Sequence, residues 1–87
     1  GAELGRDVRV GAYSVIHDGV RLGDGSTVGA HCVLGEPQAG FYADPDTYAN
    51  PTLEIGARAV IRSGTIVYAG ATLGEGFECG HRVTVRE

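Results

Sequence analysis

An aliphatic residue returns every six positions along this chain. It stands at Leu4, Val10, Ile16, Leu22, Val28 and Leu34, and after an interruption at Ile55, Ile61, Val67, Leu73 and Val85, with Cys79 in the same phase. If that residue is position one of a unit, glycine follows it directly in eight of twelve units, where chance placement gives about two. Five further glycines fall at position four, so thirteen of the fifteen glycines occupy two of six phases. Position five is mostly small or β-branched, as at Val8, Ser14, Val20, Ser26, Cys32 and Thr65. A helix would show a period of 3.6 and would suffer about 1 kcal/mol for each of these glycines. A β-sandwich would need longer strands at wider spacing. The period therefore predicts an all-β solenoid of very short strands, with positions one and five turned inward and glycines at the corners.

The units LGDGST, VGAHCV, IGARAV and LGEGFE closely resemble those of the hexapeptide-repeat acyltransferases. That resemblance covers nearly the whole chain. It implies a left-handed parallel β-helix in which three hexapeptide sides close a triangular coil of eighteen residues, each coil stacked about 4.8 Å from the last. One domain over residues 1–87, of about four coils, is expected. The inward set should be Val10, Ile16, Leu22, Val28, Cys32, Leu34, Ile55, Ile61, Val67 and Leu73, and no helix should exceed about two turns. Leu34 and Ile55 are 21 residues apart, six plus an excess of fifteen. An extended loop at 36–54 accounts for the excess and returns the chain in register. It holds all three prolines, the single Asn50 and three of the six aromatic residues, and it reads as an ordered loop reaching toward a neighbouring subunit. The repeat runs to both termini, and open β-helix ends carry unpaired backbone groups, so the chain reads as a fragment of a longer protein.

Composition excludes several functions. The formal net charge is −4 and there is no lysine, so a Schiff-base lysine, a P-loop lysine and a basic nucleic-acid-binding surface are all missing. The longest apolar runs are a few residues, too short for membrane insertion. Cys32 and Cys79 fall at inward positions with no CxxC spacing. They read as small core residues of a reduced, cytoplasmic chain.

The resemblance is sharpest over IGARAVIRSGTIVYAGATLGEGFECGHRVTVRE, which looks like the sugar and nucleotide-sugar branch of the family, where a Gly-His step followed by a basic residue is typical. It implies an acyltransferase that uses acetyl-CoA or another acyl-CoA as co-substrate, acts on an amino or hydroxyl group of a sugar or nucleotide sugar, and works as a homotrimer. His81, outward at position three, is then the candidate catalytic base, since imidazole can take a proton from the attacking amine or hydroxyl. Tyr42, Tyr48 and Asn50 in the loop are the candidate acceptor-binding residues, aromatic and amide groups being suited to a sugar or base. His17 and His31 read as surface or interface residues, His31 stacking over Tyr13. The intervals between the three histidines are 14 and 50 residues, so the close pair of a zinc hydratase of this fold is missing and no metal is expected. Two other readings stand beside the enzyme: a non-catalytic trimerisation or regulatory module of the kind appended to sugar nucleotidyltransferases, and a piece inactive without further coils.

Overall fold

The computed structural model describes residues 1–86. Twelve short strands wind into four coils. The first holds β1 (Glu3–Leu4), β2 (Arg9–Val10) and β3 (Val15–Ile16); the second, β4 (Val20–Leu22), β5 (Thr27–Val28) and β6 (Val33–Glu36). The third holds β7 (Leu53–Ile55), β8 (Val60–Ile61) and β9 (Ile66–Tyr68); the fourth, β10 (Thr72–Leu73), β11 (Glu78–Cys79) and β12 (Thr84–Val85). Every third strand stacks in parallel, giving three four-stranded faces: β1-β4-β7-β10 on face 1, β2-β5-β8-β11 on face 2 and β3-β6-β9-β12 on face 3. This is the left-handed parallel β-helix that the repeat leads one to expect.

Register is kept from coil to coil except at a bulge in β6, where Leu34 pairs with Val67 but Glu36 with Tyr68. Leu4 pairs with Leu22, Leu22 with Ile55 and Ile55 with Leu73, so the inserted loop does not shift the ladder. The buried core is the position-one column in the two middle coils, Leu22, Val28, Leu34, Ile55, Ile61 and Val67, joined by Cys32, Ala59 and Ala71 from position five. Ile16 and Leu73 pack against it only half-buried, and Val10 is 40% exposed, because the first and fourth coils have a neighbour on one side only. Leu53 was not in the expected inward set. It is fully buried and pairs with Val20, so the third coil begins there, and the excursion outside the strands is 37–52 rather than 36–54.

The glycines serve two purposes, and only one of them is the corner conformation. All ten backbones at position four, from Asp7 to Arg82, have φ between +54° and +90°, and five of those residues are glycine. The position-two glycines, apart from Gly35, are not left-handed. In the first three coils they are needed because the next coil passes too close: a Cβ on Gly23 would lie 2.5 Å from the Ala57 nitrogen, and one on Gly56 2.7 Å from that of Glu75, whereas Gly74 and Gly80 in the fourth coil have open space. Gly35 meets both demands, with φ +86° and a virtual Cβ 2.8 Å from Val20 Cγ2, at the point where the chain leaves the ladder.

Hydroxyls at position five close the corners that the strands leave unpaired. Ser26 Oγ accepts the Ala59 N–H (3.1 Å) and donates to Gly56 O (3.3 Å). Ser14 does the same for Cys32 and Gly29, and Thr65 for Val83 and Gly80. Buried backbone groups at these corners are thereby satisfied, and no buried side-chain polar atom among the described residues lacks a partner.

The loop is ordered by its own contacts. α1 (Ala39–Ala43) is a single short helix, the only one among the described residues. Phe41 sits edge-on to Tyr42 (5.0 Å) and Tyr48 (5.9 Å). Gln38 Nε2 donates to Ala69 O of the third coil at 2.9 Å.

Substituting a glycine should cost according to its coil neighbour. Gly23→Ala and Gly56→Ala force backbone apart and should each destabilise by about 2 kcal/mol or more. Gly74, in the same phase of the fourth coil, has open space around it, and Gly74→Ala should stay within about 0.5 kcal/mol of the parent. Urea midpoints followed by circular dichroism check the contrast.

Candidate functional site

The corner between faces 2 and 3 holds three of the five non-glycine residues in left-handed positions; the corner between faces 1 and 2 holds the other two, Asp7 and Arg58. The position-four column of the 2–3 corner reads Tyr13, His31, Gly64 and Arg82, so three large side chains sit where glycine would be unstrained. At the corner between faces 3 and 1, the same phase is Gly19 and Gly70. A non-glycine residue with φ near +60° costs about 1 kcal/mol or more, and such residues concentrate at functional sites.

Within this column, Gly64 leaves a gap. Below it the His31 ring stacks on Tyr13 at 5.3 Å and 15° between planes. Above it the Arg82 side chain folds down, its Cγ 3.0 Å from where a Gly64 Cβ would stand. The result is a recess of about 550 Å³ lined by His31, Ser63, Gly64, His81 and Arg82. Position three of successive coils runs Ala12, Ala30, Ser63 and His81, and the last two of this column line the recess. The stacking is fixed by backbone hydrogen bonds from His31 to Ala12, Gly64 to Ala30 and Arg82 to Ser63. Ser63 Oγ accepts the Ala30 N–H at 3.2 Å, which leaves its hydroxyl proton available to a ligand. His81 and Arg82 are exposed, and among the described residues neither makes a side-chain hydrogen bond or ion pair. The recess can therefore offer an accessible imidazole, a hydroxyl and a guanidinium to one molecule. Ser63 and Arg82 were not picked out from sequence. Arg82 carried a signal, being a large residue in a glycine phase.

The loop residues lie elsewhere. They sit at the corner between faces 3 and 1, where the loop folds beside His17 and Asp18 around a second recess of about 290 Å³. Tyr48 Oη accepts the Gln38 N–H (3.0 Å) and donates to Asn50 Oδ1 (2.8 Å), while Asn50 Nδ2 donates to Gly35 O (2.9 Å). Tyr48 and Asn50 thus hold the loop on the coil. Tyr42 is 69% exposed and donates to Glu36 Oε2 at 3.2 Å. On one chain, His81 and these three residues do not share a recess. Cys32 is buried and Cys79 half-buried in the core. Among the described residues no group of three His, Cys, Asp or Glu could hold a metal ion, and no helix is long and apolar enough to cross a membrane.

The hydrogen bond to Glu36, with the carboxylate's charge beside it, raises the Tyr42 phenol above its ordinary value of 10.0. The contact requires the protonated phenol. It is therefore complete below pH 10 and is lost as pH rises through the raised value. Glu36→Gln should bring the Tyr42 ionisation back toward its ordinary value, measured as tyrosinate absorbance after subtracting a Tyr42→Phe control.

Comparison with known proteins agrees with the repeat. Residues 1–36 match the family described as bacterial transferase hexapeptide (six repeats). The proteins named "Bifunctional protein GlmU" of Bordetella parapertussis and Bordetella bronchiseptica are each 34% identical to this chain over 83 residues, 94% of its length. The chain spans 18% of the length of those relatives. Its six-residue period and stacked triangular coils make the chain a hexapeptide-repeat β-helix, similar over residues 1–36 to the bacterial transferase hexapeptide family.

Proposed function

We propose that the protein is an acyltransferase that moves an acyl group, acetyl in the simplest case, from acyl-CoA to an amino or hydroxyl group of a sugar or nucleotide sugar, acting as a homotrimer. The observation that carries this reading is the recess at the 2–3 corner, where His81, Ser63 and Arg82 face the same space. The family match and the similarity to the two GlmU proteins support a transferase.

In this reading His81 takes the proton from the acceptor as its nitrogen or oxygen attacks the thioester carbonyl; the carbon–sulfur bond then breaks, the imidazolium returns that proton to the sulfur, and CoA leaves as the thiol. Arg82 supplies a fixed positive charge suited to a phosphate of either substrate. Tyr42, Tyr48 and Asn50 shape the acceptor side from a loop whose internal hydrogen bonds keep it rigid.

His81→Ala should lower turnover by about 10² to 10⁴, the usual range for loss of a general base, with little change in the KM for acyl-CoA. The assay is CoA release from acetyl-CoA with an amino-sugar nucleotide acceptor at several pH values. Unchanged turnover would remove His81 from the base role, and no transfer by the wild-type protein to any sugar acceptor would favour a non-catalytic module.

A further inference from the structure

Two rings stand out from the 2–3 corner for no reason that folding supplies. Tyr13 is 82% exposed, and His31 is exposed as well. Both have left-handed backbones, with φ of +61° and +58°, in a phase that glycine fills without strain. Neither side chain makes a hydrogen bond or ion pair among the described residues. The fold gains little from such residues and bears their backbone strain, a combination that points to function.

What the two rings have is each other. Their planes lie 15° apart with centroids at 5.3 Å, so Tyr13 covers one face of the His31 imidazole. Backbone hydrogen bonds from His31 to Ala12 and from Gly64 to Ala30, each 3.0 Å, set the successive rungs of this column. The other face of His31 looks toward the rung of Gly64, which has no side chain to continue the stack. Arg82 roofs that space from one rung further on, and Ser63 and His81 stand at its edge. The gap is a slot with an aromatic floor, a cationic roof and a polar rim.

We propose that His31 is the platform on which the pyranose ring of the acceptor lies, and that it selects a sugar with one face free of axial oxygen. This rests on the acyltransferase reading and deepens it by naming the configuration of the acceptor. The face of an aromatic ring is apolar and electron-rich, and it attracts the polarised C–H bonds that a pyranose presents where its hydroxyls are equatorial. An axial oxygen on that side would be pressed against the imidazole with no hydrogen bond and would lose its hydration. With the sugar flat on His31, its equatorial groups point outward to Ser63, His81 and Arg82, whose donors they can accept. The other flat occupant to weigh is a nucleobase, whose edge carries N–H donors as well as acceptors. Residues 11–14, 29–32, 62–65 and 80–83, which build this corner, include no carboxylate or side-chain amide to accept them.

The preference is specific. In an α-linked gluco sugar the bond at C1 puts an axial oxygen on one face, and the other face shows only the axial hydrogens of C2 and C4. The galacto epimer turns its 4-hydroxyl onto that second face, so both of its faces carry an axial oxygen.

The test uses the purified chain with UDP-glucosamine and UDP-galactosamine, both α-linked. Isothermal titration gives Kd, and saturation-transfer NMR shows which ligand hydrogens touch the protein; neither needs turnover. Wild type should bind the gluco probe about three- to tenfold more tightly than the galacto probe, with saturation strongest on the hydrogens of C2 and C4. His31→Asn removes the ring but suits a left-handed backbone, and it should bind the two epimers equally. His31→Phe keeps a ring and should keep the preference, a rescue that a merely structural role would not show. Gly64→Asn fills the slot and should abolish saturation of the sugar hydrogens. Equal affinity of the wild type for both epimers, or a preference that survives His31→Asn, would overturn the platform and leave the acyltransferase reading standing. Saturation confined to the uracil hydrogens would give the slot to the base and overturn it too. Failure of the wild type to bind either probe would also overturn the platform, and CoA release in the transfer assay would then judge the acyltransferase reading separately.

Discussion

The backbone ladder between coils is the interaction on which everything else in this protein depends. Each coil is held to the next by parallel hydrogen bonds at the strands, such as Gly23 N–H to Ile55 O at 2.8 Å, and by the position-five hydroxyls at the corners. At Gly5, Gly11, Gly23, Gly29 and Gly56 successive backbones also come so close at the corners that a Cβ at position two would meet the neighbouring coil. His17, Arg62 and Tyr68 stand in the same phase of the same ladder, so glycine is required only at those close corners. The inward aliphatic column adds burial once the coils are in contact, but each coil by itself encloses too few side chains to make a core.

This constraint explains why the fold was legible. A period of six in both aliphatic and glycine positions can be met only by a repeating unit whose sides are two or three residues long. The inward register therefore held for Leu22, Val28, Leu34, Ile55, Ile61 and Val67. The end of the loop was less legible. Leu53 lies two residues before the first recognisable unit, and nothing in Pro51-Thr52-Leu53 marks it as inward until the ladder shows it opposite Val20. The position-two glycines were open to misreading for a different reason. Sequence shows where glycine is required but not whether a dihedral angle or a close neighbour requires it.

The candidate site was legible in part. His81 was singled out because a Gly-His-basic step resembles a family motif. Its surroundings needed the coil stacking, since Ser63 is eighteen residues away and His31 is fifty, on the far side of the loop. The gap at Gly64 is invisible in sequence, where that glycine is one of five in the same phase. Tyr48 and Asn50 show the opposite case. Their residue types suit a ligand, yet their polar atoms are spent on Gln38, Gly35 and each other, so on one chain their work is to hold the loop on the coil.

The second and third coils stay paired across the insertion, with only the bulge at Glu36, and that continuity places the recess and the loop on one ladder. Amide hydrogen exchange by NMR tests it most directly. Gly23, Thr27, Gly29 and Val33 donate across this seam to Ile55, Ala59, Ile61 and Thr65. Their amides should exchange as slowly as any in the chain, and more slowly than Gly5 and Arg9, which bond the first coil to the second. Rapid exchange at those four amides, with protection kept on either side, would show the solenoid to be split at the loop and would contradict the account.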